Sequence, residues 1–314
     1  MQMVSENNVK SKHVFKDYAY NWFEVFSKPN IEQATIATYD RCLKLHIVPH
    51  LGEMYIEEIT PMDIQKIFNS MNGARETKTK VKNIMNMIFN QAIEDGYIVK
   101  NPIKSNSIRI TGRNPNETKP YSIEQMKYLM KKIDDIHEGM DRTFLALIAT
   151  HPLRLEEVLG LKNEDVDMEK GLIHITRAVT HPTRNRPVIK ETKTTASNRI
   201  IKLVPQIIPY LKLGTDPDQY VFGGEKPLSQ IQVKRMCQRI KRQTEFEENI
   251  TPRRFRTTVL TDIYNVTKDV KQAQLAAGHT TAAMTLKHYV KGRNTGSSET
   301  ANAIASAYGL EGSR

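Results

Sequence analysis

Apolar positions in the first hundred residues recur with helical spacing. Four such stretches follow one another, over residues 15–26, 31–47, 61–71 and 76–95. Thr60 followed by Pro61 marks a helix start, because threonine caps a helix and proline suits its first turn. Gly96 marks the end of the last stretch. The pattern predicts an all-helical domain at residues 14–102.

The second half of the chain combines helical periods with shorter alternating stretches. Helices are predicted over residues 122–135, 142–150, 207–213 and 229–243, and again after Pro252. Ser122 and Gln125 form a capping-box pattern at the first of them. Strands are predicted over residues 172–178, 187–191 and 199–203, with a short one near 221–222. The predicted fold class is mainly α with a small antiparallel β-sheet (α+β).

Composition divides the chain into two domains and a connecting segment. The 314 residues are enough for two hydrophobic cores. Residues 103–119 are polar and contain glycine and proline, which predicts a linker between the helical domain at 14–102 and a second domain at 120–290. Residues 1–13 are polar and are expected to be disordered, and residues 291–314 form a C-terminal tail.

The charge balance narrows the class of partner. A formal net charge of +11 and a pI near 9.4 favour a polyanion, either nucleic acid or an acidic membrane surface. The sequence has no apolar run that could span a bilayer, and its first residues lack the apolar core of a signal peptide. Cys42 and Cys237 are far apart, which argues against a disulfide scaffold and fits a reducing cytoplasm.

Motifs for common cofactors are missing from the sequence. No phosphate-binding glycine loop, serine-hydrolase elbow or zinc-protease motif is present. His46 and His50 are four residues apart, but Pro49 lies between them and the sequence suggests no third ligand. Neither a metal nor another cofactor is therefore predicted.

The stretch from residue 251 to 289 carries the strongest chemical signal. Three arginines follow Pro252 at a predicted helix start: Arg253, Arg254 and Arg256. Helix N-termini favour anions, and arginine forks match phosphate oxygens in two-point geometry. Gly278-His279 follows, and Tyr289 lies ten residues beyond the histidine. Tyrosine can attack as a nucleophile and hold a covalent intermediate.

This stretch resembles the active-site half of the tyrosine recombinases, also called the phage integrase family. The family pattern is His-x-x-Arg, then Leu-Gly-His, then a tyrosine. Arg256 matches the arginine, His279 matches the histidine of Leu-Gly-His, and Tyr289 matches the nucleophile. Ala277 replaces the usual leucine, and Arg253 stands where the family has its first histidine.

Two upstream segments extend the resemblance. HPLRLEEVLGL is similar to the family motif Thr-Gly-Leu-Arg-x-x-Glu, with Arg154 as the first catalytic arginine and Pro152 in place of glycine. Glu157 can orient Arg154 or a neighbouring group. Alternatively, Glu157 forms an ordinary surface ion pair with Arg154, three residues before it. KTTASNR is similar to the Lys-Thr-x-x-Ser-x-Arg hairpin, which assigns the catalytic lysine to Lys193, with Lys190 as its nearest rival.

The first half resembles the core-binding domain of the same family. The segments TIATYDRCLKLHIVPHLGEMYIEEIT and FNQAIEDGYIVKNP carry this likeness. In the family this domain, of SAM-like fold, closes over one face of the DNA. Basic side chains are accordingly expected to contact DNA: Lys78, Lys80, Lys82, Arg109, Arg113 and Arg254.

The resemblance implies cleavage of DNA through a 3′-phosphotyrosine, with no metal or ATP. Arg154 and Arg256 would clamp the phosphate oxygens, Lys193 would protonate the leaving 5′-oxygen and His279 would donate a hydrogen bond. Arg253 stays protonated and is a poor base. Our hypothesis is that it adds a third positive clamp and lowers the pKa of Tyr289.

The implied function is a site-specific recombinase, an integrase of a mobile element such as a prophage. It implies double-stranded DNA as partner, a monomer in free solution, a homotetramer on DNA, and room for accessory DNA-bending or directionality proteins. The C-terminal tail either packs on the next protomer or is frayed. Two alternatives stay open: a cleavage-deficient DNA-binding protein of the same fold, and a type IB topoisomerase-like enzyme.

Overall fold

The computed structural model describes residues 12–113, 118–183, 186–191, 198–278 and 281. The chain divides into two compact units, residues 1–117 and 118–314, each with its own hydrophobic core. The predicted fold class is confirmed, because helices dominate and the strands are short and antiparallel. Among the described helices, none combines the length and the apolar character that a bilayer crossing requires.

The amphipathic stretches of the first half fold as helices around one core. They are α1 (Phe15–Trp22), α2 (Gln33–Cys42), α3 (Val48–Leu51), α4 (Pro61–Ser70) and α5 (Arg75–Glu94). Phe15, Ile47, Phe68 and Phe89 are each at most 1% exposed at its centre. The helical period of the sequence is therefore the period of burial.

The start of α4 follows the predicted signal. The backbone N of Asp63 donates to Thr60 Oγ1 at 3.4 Å, and the backbone N of Thr60 donates to Asp63 Oδ2 at 3.2 Å. Pro61 occupies the first helical position, where a missing N–H leaves no bond unmade. The reciprocal cap satisfies two amides at the helix end.

Two predicted helices are less regular than the sequence indicates. The first ends as an α-helix at Trp22 and continues as a wider π-turn, Phe23–Ser27. The second also widens, at Leu43–Ile47, and then continues as α3 beyond residue 47, where the predicted stretch ends. Pro49 lies in the first turn of α3, where proline is tolerated, so it does not stop the helix.

The segment predicted as a linker packs largely on the first unit. Ile103 and Ile108 are buried in the first core. The backbone N of Arg109 donates to Gln65 Oε1 at 2.7 Å, and that of Arg75 donates to the carbonyl of Arg113 at 3.0 Å. The boundary between the units consequently lies at residues 117 and 118, near the end of the predicted linker.

The second unit surrounds its own apolar core with six helices among the described residues. They are α6 (Ile123–Lys131), α7 (Met140–Thr150), α8 (Leu155–Gly160), α9 (Gln230–Gln243), α10 (Pro252–Thr267) and α11 (Val270–Ala277). The predicted capping box is confirmed, since Ser122 and Gln125 exchange side-chain and backbone hydrogen bonds at 2.8 and 3.2 Å. Phe144, Phe222 and Phe255 are fully buried in this core.

Five described strands form two small antiparallel sheets. The strands are β1 (Val166–Asp167), β2 (Leu172–Ile175), β3 (Arg177–Thr183), β4 (Arg186–Glu191) and β5 (Arg199–Lys202). One sheet has the order β1-β2-β5, with Ile175 opposite Arg199, and the other pairs β3 with β4. The single strand predicted over 172–178 is therefore divided at Thr176 between two sheets.

Two smaller predictions were wrong. Residues Pro205–Tyr210 form a 3-10 helix, which begins two residues before the predicted helix and ends three residues before its predicted end. The strand expected near 221–222 is replaced by isolated bridges that Tyr220 makes with Lys162 and Gly224.

Candidate active site

The buried carboxylate of Glu157 organises the candidate site. Glu157 lies in the first turn of α8, where a negative charge interacts favourably with the helix dipole. Arg154, which precedes the helix, donates from its backbone N to Oε2 at 2.8 Å and from Nη1 to Oε1 at 2.7 Å. The side chain of Glu157 is 5% exposed and that of Arg154 is 36% exposed. Burial of Glu157 excludes a plain surface ion pair.

Arg199, the first residue of β5, binds the same carboxylate through two hydrogen bonds. Its Nη1 donates to Glu157 Oε1 and its Nη2 donates to Oε2, both at 2.9 Å. This is the two-point geometry in which a guanidinium binds a carboxylate most strongly. Sequence reasoning assigned no role to Arg199, although it is the last residue of the KTTASNR motif, and that place in the motif was the available signal.

Arg256 enters the cluster from α10. Its Nη1 donates to the carbonyl of Pro152 at 2.5 Å, and its Nη2 donates to the carbonyl of Ala277 at 2.7 Å. Nη1 also lies 4.0 Å from Glu157 Oε2. Arg256 is thus held between the segment before α8 and the end of α11, with 10% of its side chain exposed.

The C-terminal end of α11 completes the described part of the site. Arg154 Nη2 donates to the carbonyl of Gly278 at 3.2 Å, so two consecutive carbonyls at this helix end accept from arginines. Cations are favoured at helix C-termini. Gly278 has φ of +61°, and a Cβ there would lie 2.9 Å from Arg199 Nη1. Both the conformation and the contact require glycine.

The cluster carries an excess of positive charge. The guanidinium groups of Arg154, Arg199 and Arg256 surround the one carboxylate of Glu157. Burial alone would raise the pKa of Glu157, but hydrogen bonds and charge from Arg199, followed by those from Arg154, hold its pKa below the ordinary value. Glu157 is consequently ionised at neutral pH, and among the described residues the three guanidinium groups of the cluster outnumber its carboxylates.

The structure brings only part of the sequence-predicted site together. Arg154, Glu157 and Arg256 meet as expected. Arg253 lies on the first turn of α10 with an exposed side chain, and among the described residues it makes no ion pair with this cluster. Three predicted residues lie outside the described residues: Lys193, His279 and Tyr289.

Arg254 does not fit the predicted role as a DNA contact. Its guanidinium pairs with Glu248, donates to the carbonyl of Lys119 at 2.8 Å, and stacks 4.0 Å from the ring centre of Tyr121. Residues two positions apart on a helix point about 200° apart, so Arg254 faces away from Arg256. These contacts give Arg254 a structural role within the second unit.

Lys78 in the first unit also departs from the prediction. Its side chain is buried, and Nζ donates to the carbonyl of Phe68 at 2.7 Å. That carbonyl belongs to the last turn of α4, where carbonyls lack helical partners and a lysine can satisfy them. Lys78 therefore joins α5 to α4 and is unavailable to a phosphate.

The other predicted DNA contacts of the first unit are accessible. Lys80 is exposed and pairs with Glu76 at 3.1 Å. Lys82 and Arg109 line an open concavity of about 520 Å³ together with Lys104 and neighbouring polar residues. Arg113 is exposed. These groups give this unit a basic surface suited to phosphates.

The described residues include no group of three or more histidine, cysteine or acidic side chains arranged to hold a metal ion. The cluster around Glu157 has the opposite character, because its surplus charge is positive. What this arrangement can bind is an anion with several oxygens.

Comparisons with known proteins identify the family. The profile of the Phage integrase family matches residues 122–295. A second profile, the N-terminal SAM-like domain of phage integrases, matches residues 14–72.

Curated relatives belong to the same group of proteins, and a solved structure shares the fold. A tyrosine recombinase XerC-like protein of Caldanaerobacter subterraneus is 28% identical over 62% of this chain and 54% of its own length, so the chain spans about half of that relative. The prophage ps2 probable integrase of Lactococcus lactis is 24% identical over 87% of this chain and 78% of its own length. The Tn1549 transposon integrase, solved with a circular intermediate DNA, has a TM-score of 0.77 and 19% identity, covering 95% of this chain and 100% of that one.

Proposed function

Because the chain belongs to the phage integrase family, we propose that it is a site-specific recombinase that cuts and rejoins double-stranded DNA. The observation that carries the proposal is the cluster in which Arg154, Arg199 and Arg256 surround the single carboxylate of Glu157. An excess of guanidinium groups in a partly buried site stabilises the charge that builds on a phosphate in its transition state.

The two catalytic arginines predicted from the sequence, Arg154 and Arg256, differ in burial and in hydrogen bonding. Arg256 is almost buried and fixed by two carbonyls, whereas Arg154 is more exposed. Arg154 is therefore the more accessible of the two to an entering phosphate. Arg256 would stabilise negative charge on the non-bridging oxygens from its more buried position. Their geometry is set before DNA binds, which is the condition for electrostatic catalysis.

The covalent step is assigned to Tyr289. Its Oη attacks the scissile phosphorus and loses its proton to water, and the bond from phosphorus to the 5′-oxygen breaks. Lys193 gives a proton to that oxygen, and His279 donates a hydrogen bond to the phosphate. The products are a 3′-phosphotyrosine and a free 5′-hydroxyl. Attack by a 5′-hydroxyl reverses the step and rejoins the strand, so the step needs no ATP.

Arg253 is proposed to act at long range. Its exposed guanidinium adds positive charge near the start of α10 and would lower the pKa of Tyr289. Replacement by alanine tests this role. Unchanged covalent attachment of DNA by Arg253→Ala would remove Arg253 from the chemistry.

The biological setting is proposed from the relatives. Prophage ps2 and transposons Tn916 and Tn1545 supply similar proteins, which favours integration and excision of a mobile element. Recombination joins two duplexes, so we propose a homotetramer on DNA that assembles from monomers in the cytoplasm, with accessory proteins setting direction. Lys80, Lys82, Arg109 and Arg113 would contact DNA phosphates.

Covalent trapping tests the proposed reaction. The protein is incubated with a duplex that carries the candidate attachment site and a nick just beyond the cut position, then analysed on a denaturing gel. Loss of a short 5′ fragment at the nick prevents rejoining, so the covalent complex accumulates. We expect a shifted protein–DNA band that disappears in Tyr289→Phe.

The alternatives give different outcomes in the same assay. Salt-sensitive binding with no covalent band would indicate a cleavage-deficient DNA-binding protein. A covalent band on any sequence, together with relaxation of supercoiled plasmid, would indicate a topoisomerase-like enzyme.

A further inference from the structure

Arg199 contacts both groups that hold the Arg154 side chain. The Arg154 guanidinium donates to Glu157 Oε1 at 2.7 Å and to the carbonyl of Gly278 at 3.2 Å. Arg199 binds both oxygens of Glu157, and its guanidinium lies directly against Gly278. We infer that Arg199 is a positioning residue of the cleavage reaction, which acts through Glu157 and Gly278 to present Arg154 to the scissile phosphate. This inference rests on the proposed function.

The first step of the argument concerns the carboxylate. Arg154 itself donates to both oxygens of Glu157, from its backbone N to Oε2 at 2.8 Å and from Nη1 to Oε1 at 2.7 Å. The last torsion of a glutamate has a broad energy minimum. The fork of Arg199 adds a second donor to each oxygen at 2.9 Å and so restrains the carboxylate plane from strand β5. Arg154 Nη1 shares Oε1 with Arg199 Nη1. The direction in which Arg154 points thus depends on how Arg199 holds Glu157.

The second step concerns the carbonyl of Gly278. A Cβ built on Gly278 would lie 2.9 Å from Arg199 Nη1, 3.0 Å from Cζ and 3.3 Å from Nε. The flat guanidinium therefore packs on the α-carbon of the residue whose carbonyl accepts from Arg154. Removal of the Arg199 side chain would leave a space behind Gly278 and free that carbonyl to shift.

The third step separates the roles of the two arginines. The Arg199 side chain is 12% exposed and the Arg154 side chain is 36% exposed. Arg199 holds Glu157 through both terminal nitrogens and is less exposed than Arg154, so Arg154 is the better placed of the two to meet a phosphate. A purely structural ion pair is the competing explanation, and it predicts a loss of folded protein without a specific loss of cleavage.

A double-mutant cycle in single-turnover cleavage distinguishes the two explanations. The rate of covalent complex formation on the nicked duplex is measured at saturating DNA for wild type, Arg199→Ala, Arg154→Ala and the double variant, each corrected for its folded fraction. We expect Arg199→Ala to slow cleavage about 10- to 100-fold, by analogy with the loss of groups that orient metal ligands in enzymes. Its dissociation constant for intact DNA should stay within about threefold of wild type, because electrostatic phosphate contacts elsewhere supply most of the affinity.

The diagnostic result is the lack of additivity. If Arg199 acts through Arg154, adding Arg199→Ala to Arg154→Ala should cause little further loss. Fully additive losses would overturn the positioning role. Arg199→Lys keeps the charge without the fork, so it should cleave at an intermediate rate, and it keeps the test decisive if Arg199→Ala does not fold.

A matched control comes from a second buried arginine of the same unit. Arg177 has 18% of its side chain exposed and pairs with two carboxylates away from the cluster. Arg177→Ala should lower stability but leave the cleavage rate of the folded fraction unchanged, and equal slowing by both variants would overturn the inference. Wild-type protein that forms no covalent complex would overturn the proposed function itself, a failure that is seen before any variant is compared.

Discussion

Two ion clusters of the second unit, near opposite ends of the short helix α8, differ in burial and in charge balance. At the N-terminal end, one carboxylate, that of Glu157, faces three guanidinium groups. At the C-terminal end, one guanidinium, that of Arg177, pairs with Asp165 and with Glu164 at 3.3 Å and donates to the carbonyl of Gly160 at 3.4 Å. Among the described residues, carboxylates outnumber guanidinium groups in the second cluster, and guanidinium groups outnumber carboxylates in the first.

The comparison teaches that a buried ion pair by itself does not mark a functional site. Burying charge is costly unless opposite charge compensates it. In the Arg177 cluster two carboxylates compensate the one guanidinium, and the cluster links β3 to the end of α8. In the Glu157 cluster guanidinium groups are in excess among the described residues, and an entering anion would reduce that excess.

The largest expected effect comes from removing the central carboxylates. Glu157→Gln should lower the free energy of unfolding by about 3–5 kcal/mol, because it leaves buried guanidinium groups without their anion. Asp165→Asn should cost less, since Glu164 still pairs with Arg177. Urea unfolding of both variants measures the difference.

Added sulfate sharpens this test. Sulfate should raise the free energy of unfolding of Glu157→Gln more than that of Asp165→Asn. The first variant leaves three guanidinium groups without the Glu157 carboxylate, whereas Arg177 still pairs with Glu164 in the second. An equal response of both variants to sulfate would contradict the contrast between the clusters.

The next largest expected effect is a difference in cleavage rate between variants of the two clusters. Arg256→Lys loses the fork that spans Pro152 and Ala277, and we expect cleavage to slow by about 10²–10³-fold, the cost of removing one preorganised donor. Arg177→Lys should leave cleavage by the folded protein unchanged. Single-turnover trapping compares them. Loss of activity in both variants would show that the two clusters are not functionally distinct.

A smaller effect is expected from alanine substitution at two glycines that differ in one contact. Gly278 and Gly171 have similar φ values, +61° and +64°, but only Gly278 has Arg199 where a Cβ would lie. Each alanine variant should lose about 1–2 kcal/mol from the left-handed backbone. Gly278→Ala should lose more stability than Gly171→Ala, because Arg199 must also move. Equal losses of stability in thermal unfolding would mean that the contact between Arg199 and Gly278 does not contribute to stability.

The pH dependence is the smallest effect. The pKa of Glu157 is held below its ordinary value of 4.5 despite burial, chiefly by Arg199 and then Arg154. A carboxyl with a lowered pKa in the folded state stabilises the protein above pH 4.5 and loses that contribution as the pH falls through its folded value. The stability difference between wild type and Glu157→Gln should thus be constant near neutrality and shrink below about pH 4.5.

A buried histidine does not disturb that measurement. Burial lowers the pKa of His151 below 6.5, so protonation of the unfolded chain reduces stability as the pH falls below that value. Both proteins contain His151, so its contribution cancels in the difference. A difference that shrinks already between pH 7 and 6 would contradict the assignment to Glu157.

The sequence predicted local features well because they depend on local rules. The apolar period around Phe15 and the caps at Thr60 and Ser122 involve residues within one or two helical turns. Pro49 shows the limit of such rules. The turn before it widens, Pro49 falls in the first turn of α3, and Ile47 and Leu51 on either side of it are buried in the core.

Side-chain roles that depend on tertiary contacts were harder to predict. Arg254 and Lys78 look like surface cations in the sequence, but their partners are Glu248 and the carbonyl of Phe68. Arg199 was missed because its partner, Glu157, is 42 residues away. Arg154 and Arg256 were predicted because the motifs that contain them resemble a known family, and periodicity alone would not have identified them.

The most direct test asks whether the spare charge near Glu157 serves a phosphate anion. Single-turnover cleavage is measured for wild type, Arg154→Ala and Arg177→Ala on nicked DNA whose scissile phosphate is either natural or replaced by an uncharged methylphosphonate. We predict that Arg154→Ala slows cleavage strongly on the natural phosphate and much less on the methylphosphonate, whereas Arg177→Ala has no specific effect on either. An equal loss on both substrates would contradict the account, because Arg154 would then act without regard to the charge it is proposed to balance.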